Sequence, residues 1–465
     1  MEYRKPRLGL LGLMTGGYEV TFPGILERQK KYAMELVKTI SPVADVKFSG
    51  IGTDREKIEQ IMKEYNNSDL DGVLIVLLAY SQGAYLVRAL ENNRLPIALA
   101  IVQPDQEVKD DWEELDLTVN QGTHGAQDNS NVINRCGFTC EFFAGNRHEK
   151  RFLDFVEDFA KACYTRTKLK GMRTAIFSRM CGMGDILCDD LAFLHKIGPE
   201  FCHDTIGSVY SRMQKVTDKE IQDQIDLDHT RFEVDPKLSH ESHAIAVREY
   251  LGFKKYLEDK KYDAYTAHFD QFADDGRFRQ LPLYAASNLM AEGYGYAAEG
   301  DSMCASMVAA AHALGNVDGN FTEMYTMDYE KKAIIFCHAG EGNWSTHRKD
   351  MKVRLIDRYL GEGGLENPPT LMFTPQYGPA TLTSLVSVNG NQFRLLVATG
   401  EMLPKSDLKR CEMPYFFWRP DAGIENCVEG WVKNSGTHHE VINLGNVARR
   451  WEMLAKMLGI EVVRI

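Results

Sequence analysis

The sequence predicts an α/β protein with two doubly wound domains and a third, mainly antiparallel β domain at the C-terminal end. Three observations predict it. Apolar strands alternate with amphipathic helices through the first hundred residues, a new strand opens after the basic stretch Lys168 to Arg173, and short strands separated by turn signals dominate after about Asn320. The corresponding domains are 1–169, 170–320 and 321–465, and 465 residues exceed what one ordinary core holds.

In the first domain, Leu8 to Met14 forms a buried strand and Ile25 to Ile40 has helical apolar spacing. Val46 to Phe48 is a short strand, Arg55 to Tyr65 a polar-faced helix, and Gly72 to Leu78 a central strand. A helix from Gln82 to Glu91 and the strand Ile97 to Val102 continue the alternation, which implies a parallel sheet with right-handed crossovers. A helix from about Arg147 to Cys163 leads to the strand Thr174 to Ser178. The second domain then holds the helix Glu241 to Leu257, the strand Asp263 to Phe269, and helices from Leu283 and Ser302. Short strands follow at Ala333 to Cys337, Thr370 to Phe373, Thr381 to Val388 and Phe393 to Ala398, the last two joined by an Asn389-Gly390-Asn391 turn. A helix (Val447 to Leu458) and a last strand (Glu461 to Ile465) close the chain.

Composition excludes several classes of function. Apolar residues make up 44% and aromatic residues 10%, enough for real cores. Fifty-four basic against 66 acidic residues give a net charge of −12, which argues against general nucleic-acid binding. The longest apolar run, Val73 to Ala79, falls short of the roughly 20 residues that cross a bilayer. Arg4, Lys5 and Arg7 before Leu8 to Met14 mimic a secretory signal, but the apolar part is short and no cleavage site follows, so a buried strand is expected. Ten scattered cysteines without a CxxC pair suggest reduced thiols and a cytoplasmic protein.

Two glycine motifs resemble nucleotide loops and fail in context. Gly9-x-x-Gly12 with Gly16-Gly17 lacks the GxGxxG spacing, and Gly293-Tyr-Gly295-Tyr-Ala-Ala298 follows a predicted helix rather than a strand. Other residues carry more chemistry. Glu299 lies in a glycine-rich turn before an alanine-rich helix, where helix capping and a functional carboxylate are both open. Glu323 has apolar and aromatic neighbours. His338 ends a strand before a glycine-rich loop, placed either for a ligand or for the core. Of His438 and His439, strand alternation allows one to serve a given site. Two carboxylates and two imidazoles brought together would make a mixed O/N site suited to Mn²⁺ or a similar divalent ion.

The run Gln280 to Asp301 (QLPLYAASNLMAEGYGYAAEGD), then Phe321 to Glu330 (FTEMYTMDYE), resembles the L-arabinose isomerase / L-fucose isomerase family of metal-dependent aldose–ketose isomerases. His338-Ala-Gly-Glu341, Asn120 to Gly125 (NQGTHG), Leu371 to Val397 and His438-His439 match in the same order, so the likeness spans nearly the whole chain. The resemblance implies two Rossmann-like domains and a C-terminal β-barrel. It implies Glu299, Glu323, His338 and His439 as ligands of Mn²⁺, or of Co²⁺ or Mg²⁺, with the two glutamates also the acid/base pair. Gln121 and His124 would face the sugar, in their own or a neighbouring subunit, and Met183 and Phe269 would line the pocket. It further implies a trimer or hexamer acting on a small sugar, with no nucleic-acid or membrane partner. The chain departs from the family at Met14 to Tyr18, where a sugar-contacting glutamine is usual. A sugar epimerase on the same scaffold and a non-catalytic sugar-binding protein are the competing readings.

Overall fold

A computed structural model describes residues 1, 3–360, 364–404 and 408–465. The chain divides into two compact units, Tyr3–Thr167 and a larger one of Met1–Glu2 with Lys168–Ile465, and passes from one to the other within the helix Lys150–Gly171.

The first unit is built on a parallel sheet. Its strands are β1 (Arg7–Leu13), β2 (Asp45–Lys47), β3 (Ile51–Gly52), β4 (Gly72–Leu77), β5 (Ile97–Ile101) and β6 (Cys140–Ala144). The order is β2-β1-β4-β5-β6, with β3 continuing the β2 edge of β1. Every residue of β4 is buried, as its unbroken apolar run demands when helices cover both faces. The order reverses between β1 and β4, which opens a crevice at their carboxyl ends. Helices at Glu114–Val119 and Gly122–Arg135 were not foreseen, because their sequences are largely polar, nor was the strand β6, five residues long.

The second unit contains a parallel sheet of β7 (Arg173–Phe177), β8 (Glu200–His203), β10 (Ala264–Ala267) and β11 (Gly295–Ala298), in the order β11-β10-β7-β8. A small sheet joins β9 (Glu233–Val234), β14 (Arg354–Asp357) and β15 (Pro369–Met372). The remaining strands are β12 (Asn320–Asp328), β13 (Ala333–Cys337), β16 (Gly378–Val388), β17 (Gln392–Met402), β18 (Tyr415–Pro420), β19 (His439–Leu444) and β20 (Glu461–Arg464). They form a mixed sheet in the order β16-β19-β12-β13-β18-β17-β20, and β16 also pairs with β17 along their full length. Asn389 and Gly390 both take positive φ in the three-residue loop, Asn389 to Asn391, that joins β16 to β17. Trp418, Phe336, Leu382, Leu396 and Ile442 fill the core beneath this sheet.

One expected element changes at its end. The strand expected to reach Phe269 stops at Ala267, because the His268 side chain accepts the Asp270 N–H and caps a helix, Phe269–Asp275. The Gly293-Tyr-Gly295 motif is a packing device. A Cβ on Gly295 would lie 2.1 Å from the Ala305 carbonyl oxygen, so only glycine lets the helix Ser302–Leu314 press onto β11. All ten cysteines are free thiols. Among the described residues no helix is long and apolar enough to cross a membrane.

The same helix buries His312 completely. Its Nδ1 accepts the Gly319 N–H at 3.2 Å and its Nε2 faces the Tyr294 carbonyl at 3.2 Å, so the neutral ring uses both nitrogens. Burial pushes the imidazole down to about 4. The unfolded chain takes up this proton near pH 6.5 and the folded one near 4, so stability is full above pH 6.5 and falls between those values. The total is about 3 kcal/mol. Chemical denaturation of the wild type and His312→Gln should therefore show a stability difference that shrinks as pH falls from 7 to 4.5. A pH-independent difference would contradict it.

Candidate metal and active site

Four side chains from three elements converge in the second unit. Glu299 directly follows β11, Glu323 lies on β12, His439 opens β19 and His438 immediately precedes it. One ligand atom from each lies within 4.8 Å of all the others. His439 Nε2 is 3.2 Å from Glu299 Oε2 and 3.4 Å from Glu323 Oε1. His438 Nε2 is 3.6 and 3.7 Å from the same two oxygens.

The backbone explains the convergence. Glu323 and His439 are direct partners across the β12–β19 ladder, so their side chains leave the same face. Glu299 has φ of 63°, a left-handed conformation that costs a residue with a Cβ about 1–3 kcal/mol. Its N–H bonds to Ala267 and its carbonyl accepts from Met180, which hold it there. The capping role open for Glu299 belongs instead to Asp301, whose Oδ1 accepts the Cys304 N–H at 2.8 Å. His438 precedes the first residue of β19, so strand alternation does not separate it from His439, and both rings reach the same group where the sequence allowed one.

Each imidazole has its own carboxylate at Nδ1: Asp301 at 3.0 Å for His439, Asp185 at 2.6 Å for His438 and Glu341 at 2.9 Å for His338. The signals for these partners were the Glu-Gly-Asp turn and the His-x-x-Glu spacing, while nothing in the sequence pointed to Asp185. His338 is buried, and its Nε2 comes within 3.7 Å of Glu323, but it stands outside the compact group of four.

The electrostatics are those of a site built for positive charge. Desolvation opposes charge on Glu299, yet the imidazoles of His438 and His439 hold its carboxyl well below the usual range. The bond to Asp185 and the nearby Glu299 raise His438 to about 9. Burial works against the charged form of His439, but Asp301, Glu299 and Glu323 together raise it well above an ordinary imidazole. Glu299 Oε2 and His439 Nε2 are both buried and make no hydrogen bond, so both residues have donor atoms left over with which they would hold a cation. Hard carboxylate oxygens with imidazole nitrogens and no thiolate suit a divalent ion such as Mn²⁺.

Glu299 and Glu323 open onto a cavity of about 340 Å³, lined also by Met180, Phe269, Leu281 and His338. Phe269 thus lies at the cavity, and from the loop after β7 it is Met180 rather than Met183 that lines it. Tyr325 sits at a β-bulge in β12, which turns it toward the same cavity.

Gln121 and His124 lie in the first unit, near the carboxyl ends of β1 and β4. Gln121 Nε2 donates to the Tyr18 hydroxyl at 2.9 Å, and His124 stacks on Tyr80 with ring centroids 4.7 Å apart. Tyr18, where the sequence departs from the family, therefore supports Gln121 directly.

Family models cover the chain in order: the L-arabinose isomerase N-terminal domain over residues 14–171, the central domain over 189–317 and the C-terminal domain over 318–461. The chain belongs to the L-arabinose isomerase family. An L-arabinose isomerase of Pediococcus pentosaceus is 26% identical over 439 residues, covering 90% of each chain. One of Clostridium beijerinckii is 25% identical over 466 residues, covering 97% of this chain and 93% of its own. The family is one of aldose–ketose isomerases, intramolecular oxidoreductases that move hydrogen between neighbouring carbons of a sugar, and that is the activity of this chain.

Proposed function

We propose that the chain isomerises an open-chain pentose or hexose through an enediolate, with Mn²⁺ or a similar divalent ion held by Glu299, Glu323 and His439 and by one or both of His338 and His438. The observation that carries this is the group of two carboxylates and two imidazoles within 4.8 Å, with both carboxylates opening on the cavity. A bound divalent ion supplies Lewis-acid stabilisation of negative charge on adjacent substrate oxygens. The residues do the rest. Glu323 takes the proton from C2 and returns it to C1, while Glu299 carries the hydroxyl proton between O1 and O2. Phe269, Leu281 and Met180 face the carbon chain as the apolar wall of the cavity.

The relatives' names make L-arabinose the first substrate to try. Gln121 and His124 would contact the sugar in a neighbouring subunit, and Met183 would approach it from its loop, in a cytoplasmic trimer or hexamer. We further read the closed ring of pairings β16-β19-β12-β13-β18-β17-β16 as the C-terminal barrel, the two parallel sheets as Rossmann-like, and 1–169, 170–320 and 321–465 as the domains.

The test is NMR in D₂O with added Mn²⁺ over a panel of pentoses, hexoses and deoxy sugars. Ketose appearing only with the ion identifies the substrate, and deuterium at C1 supports proton transfer through the enediolate. An epimeric aldose would instead assign an epimerase to this scaffold. A panel without any product would refute the reading for those sugars.

A further inference from the structure

We infer that the first unit carries a ligand site of its own, for a phosphate monoester of a small hydroxylated molecule. A cavity of about 430 Å³ opens between the helix Arg55–Asn66, the helix Val87–Glu91 and the turn that follows it. Sites for small organic ligands run from about 300 to 1,000 Å³. Both helices end at this cavity, beside the amino ends of β4 and β5. The crevice at the carboxyl ends of β1 and β4 lies at the other end of these strands, so a ligand here leaves that crevice free.

Charge sets the first property of the ligand. Lys63, Arg88 and Arg94 face a single carboxylate, Glu59, around the cavity, in a chain whose net charge is −12. These three cations make no ion pair among the described residues. The surplus suits a dianion, and guanidinium forks match phosphate oxygens. Arg94 is held in place, its backbone N–H donating to Asn66 Oδ1 at 2.8 Å and its Nη2 to the Asn66 carbonyl at 3.2 Å. The rest of the wall accepts hydrogen bonds. Asn67 and Asn92 each donate the side-chain nitrogen to the carbonyl four residues back, at 2.9 Å, which leaves Oδ1 to accept. Glu59 Oε1 is buried and has no hydrogen-bond partner among the described residues. Acceptors beside cations call for a ligand with hydroxyl groups as well as a phosphate. The bland alternative is that Lys63 and Arg88 merely offset the exposed carbonyls in the last turns of their helices. It gives no part to Arg94, which lies beyond both helices, or to the unpartnered oxygen of Glu59.

The experiment is isothermal titration calorimetry of the full chain with glycerol 3-phosphate and with adenosine 5′-monophosphate. Neither is an aldose, so neither is consumed by isomerisation. At least one should bind with a dissociation constant below about 1 mM, while glycerol and adenosine do not. Which of the two binds tells a polyol phosphate from a nucleotide. Arg88→Ala and Lys63→Ala should each weaken that binding about tenfold or more, and the wild-type affinity should fall as salt is raised. Both side chains are exposed, so without ligand each variant should unfold at the wild-type temperature. Failure of both esters to bind would overturn the proposal, as would binding that survives both substitutions. Inorganic phosphate binding as tightly as the esters would also overturn it, since the acceptors would then have no role. None of these outcomes touches the isomerase reading, whose carboxylates and imidazoles belong to the second unit.

Discussion

Glu323→Gln should lower turnover by about 10²–10⁴-fold while the protein stays folded, since that is what a positioned general base contributes. Glutamine matches the shape of glutamate but cannot take a proton from carbon. The backbone at this position is paired on both sides, to Cys337 across β13 and to His439 across β19, so the substitution leaves the sheet intact. Removing the charge also weakens the hold on the ion, because Glu323 Oε1 lies 3.4 Å from His439 Nε2 in the same group. Turnover should therefore be measured at saturating Mn²⁺, with deuterium exchange at C2 followed alongside. Loss of ketose formation together with C2 exchange fits the assignment. Turnover within a few-fold of the wild type would move the base to Glu299.

Stripping divalent ions with a chelator should abolish turnover and lower stability, and both should return with Mn²⁺. At an ion concentration a thousand times the dissociation constant the stabilisation is about 4 kcal/mol. Its pH dependence follows from the imidazoles. In the ion-free site His438 titrates at about 9, so below that pH the proton must leave before the nitrogen can bind. The stabilisation by Mn²⁺ should accordingly shrink as pH falls from 9 to 6, by about 1.4 kcal/mol per pH unit for one competing proton. Thermal unfolding with and without Mn²⁺ at pH 9, 7.5 and 6 measures it. A shift in unfolding temperature that stays constant, or grows toward acid, would refute competition between ion and proton.

Much of this molecule was readable before its coordinates. The central strand β4 announced itself through an unbroken apolar run, and the Asn389-Gly390 turn through its need for positive φ. Glu299 and Glu323 stood out as carboxylates among small and apolar residues. What stayed hidden depended on three-dimensional detail. Strand alternation predicted that one of His438 and His439 would reach a given site, whereas both rings reach the same group because β19 begins between the two. Asp185 sits in an irregular loop with no periodicity, so its bond to His438 left no trace in the sequence. The helix Asp218–Arg231 was missed although its Thr217–Glu220 capping box is visible, because its exposed face outweighs its three buried residues, Ile221, Ile225 and Asp228. Phe269, which the family resemblance gave to the pocket, lies on the cavity wall as the first residue of a helix, where the apolar pattern suggested the end of a strand.

Asp301 divides its two oxygens between two tasks. One caps the helix Ser302–Leu314, and the other holds His439. A change at this residue would be felt in both folding and chemistry at once, so selection cannot adjust one without disturbing the other. Met180, Phe269 and Leu281 carry no such double obligation, although they line the same cavity. If descendants of this chain come to accept different sugars, the drift should accumulate on that apolar wall. The Glu-Gly-Asp corner should stay fixed while it does.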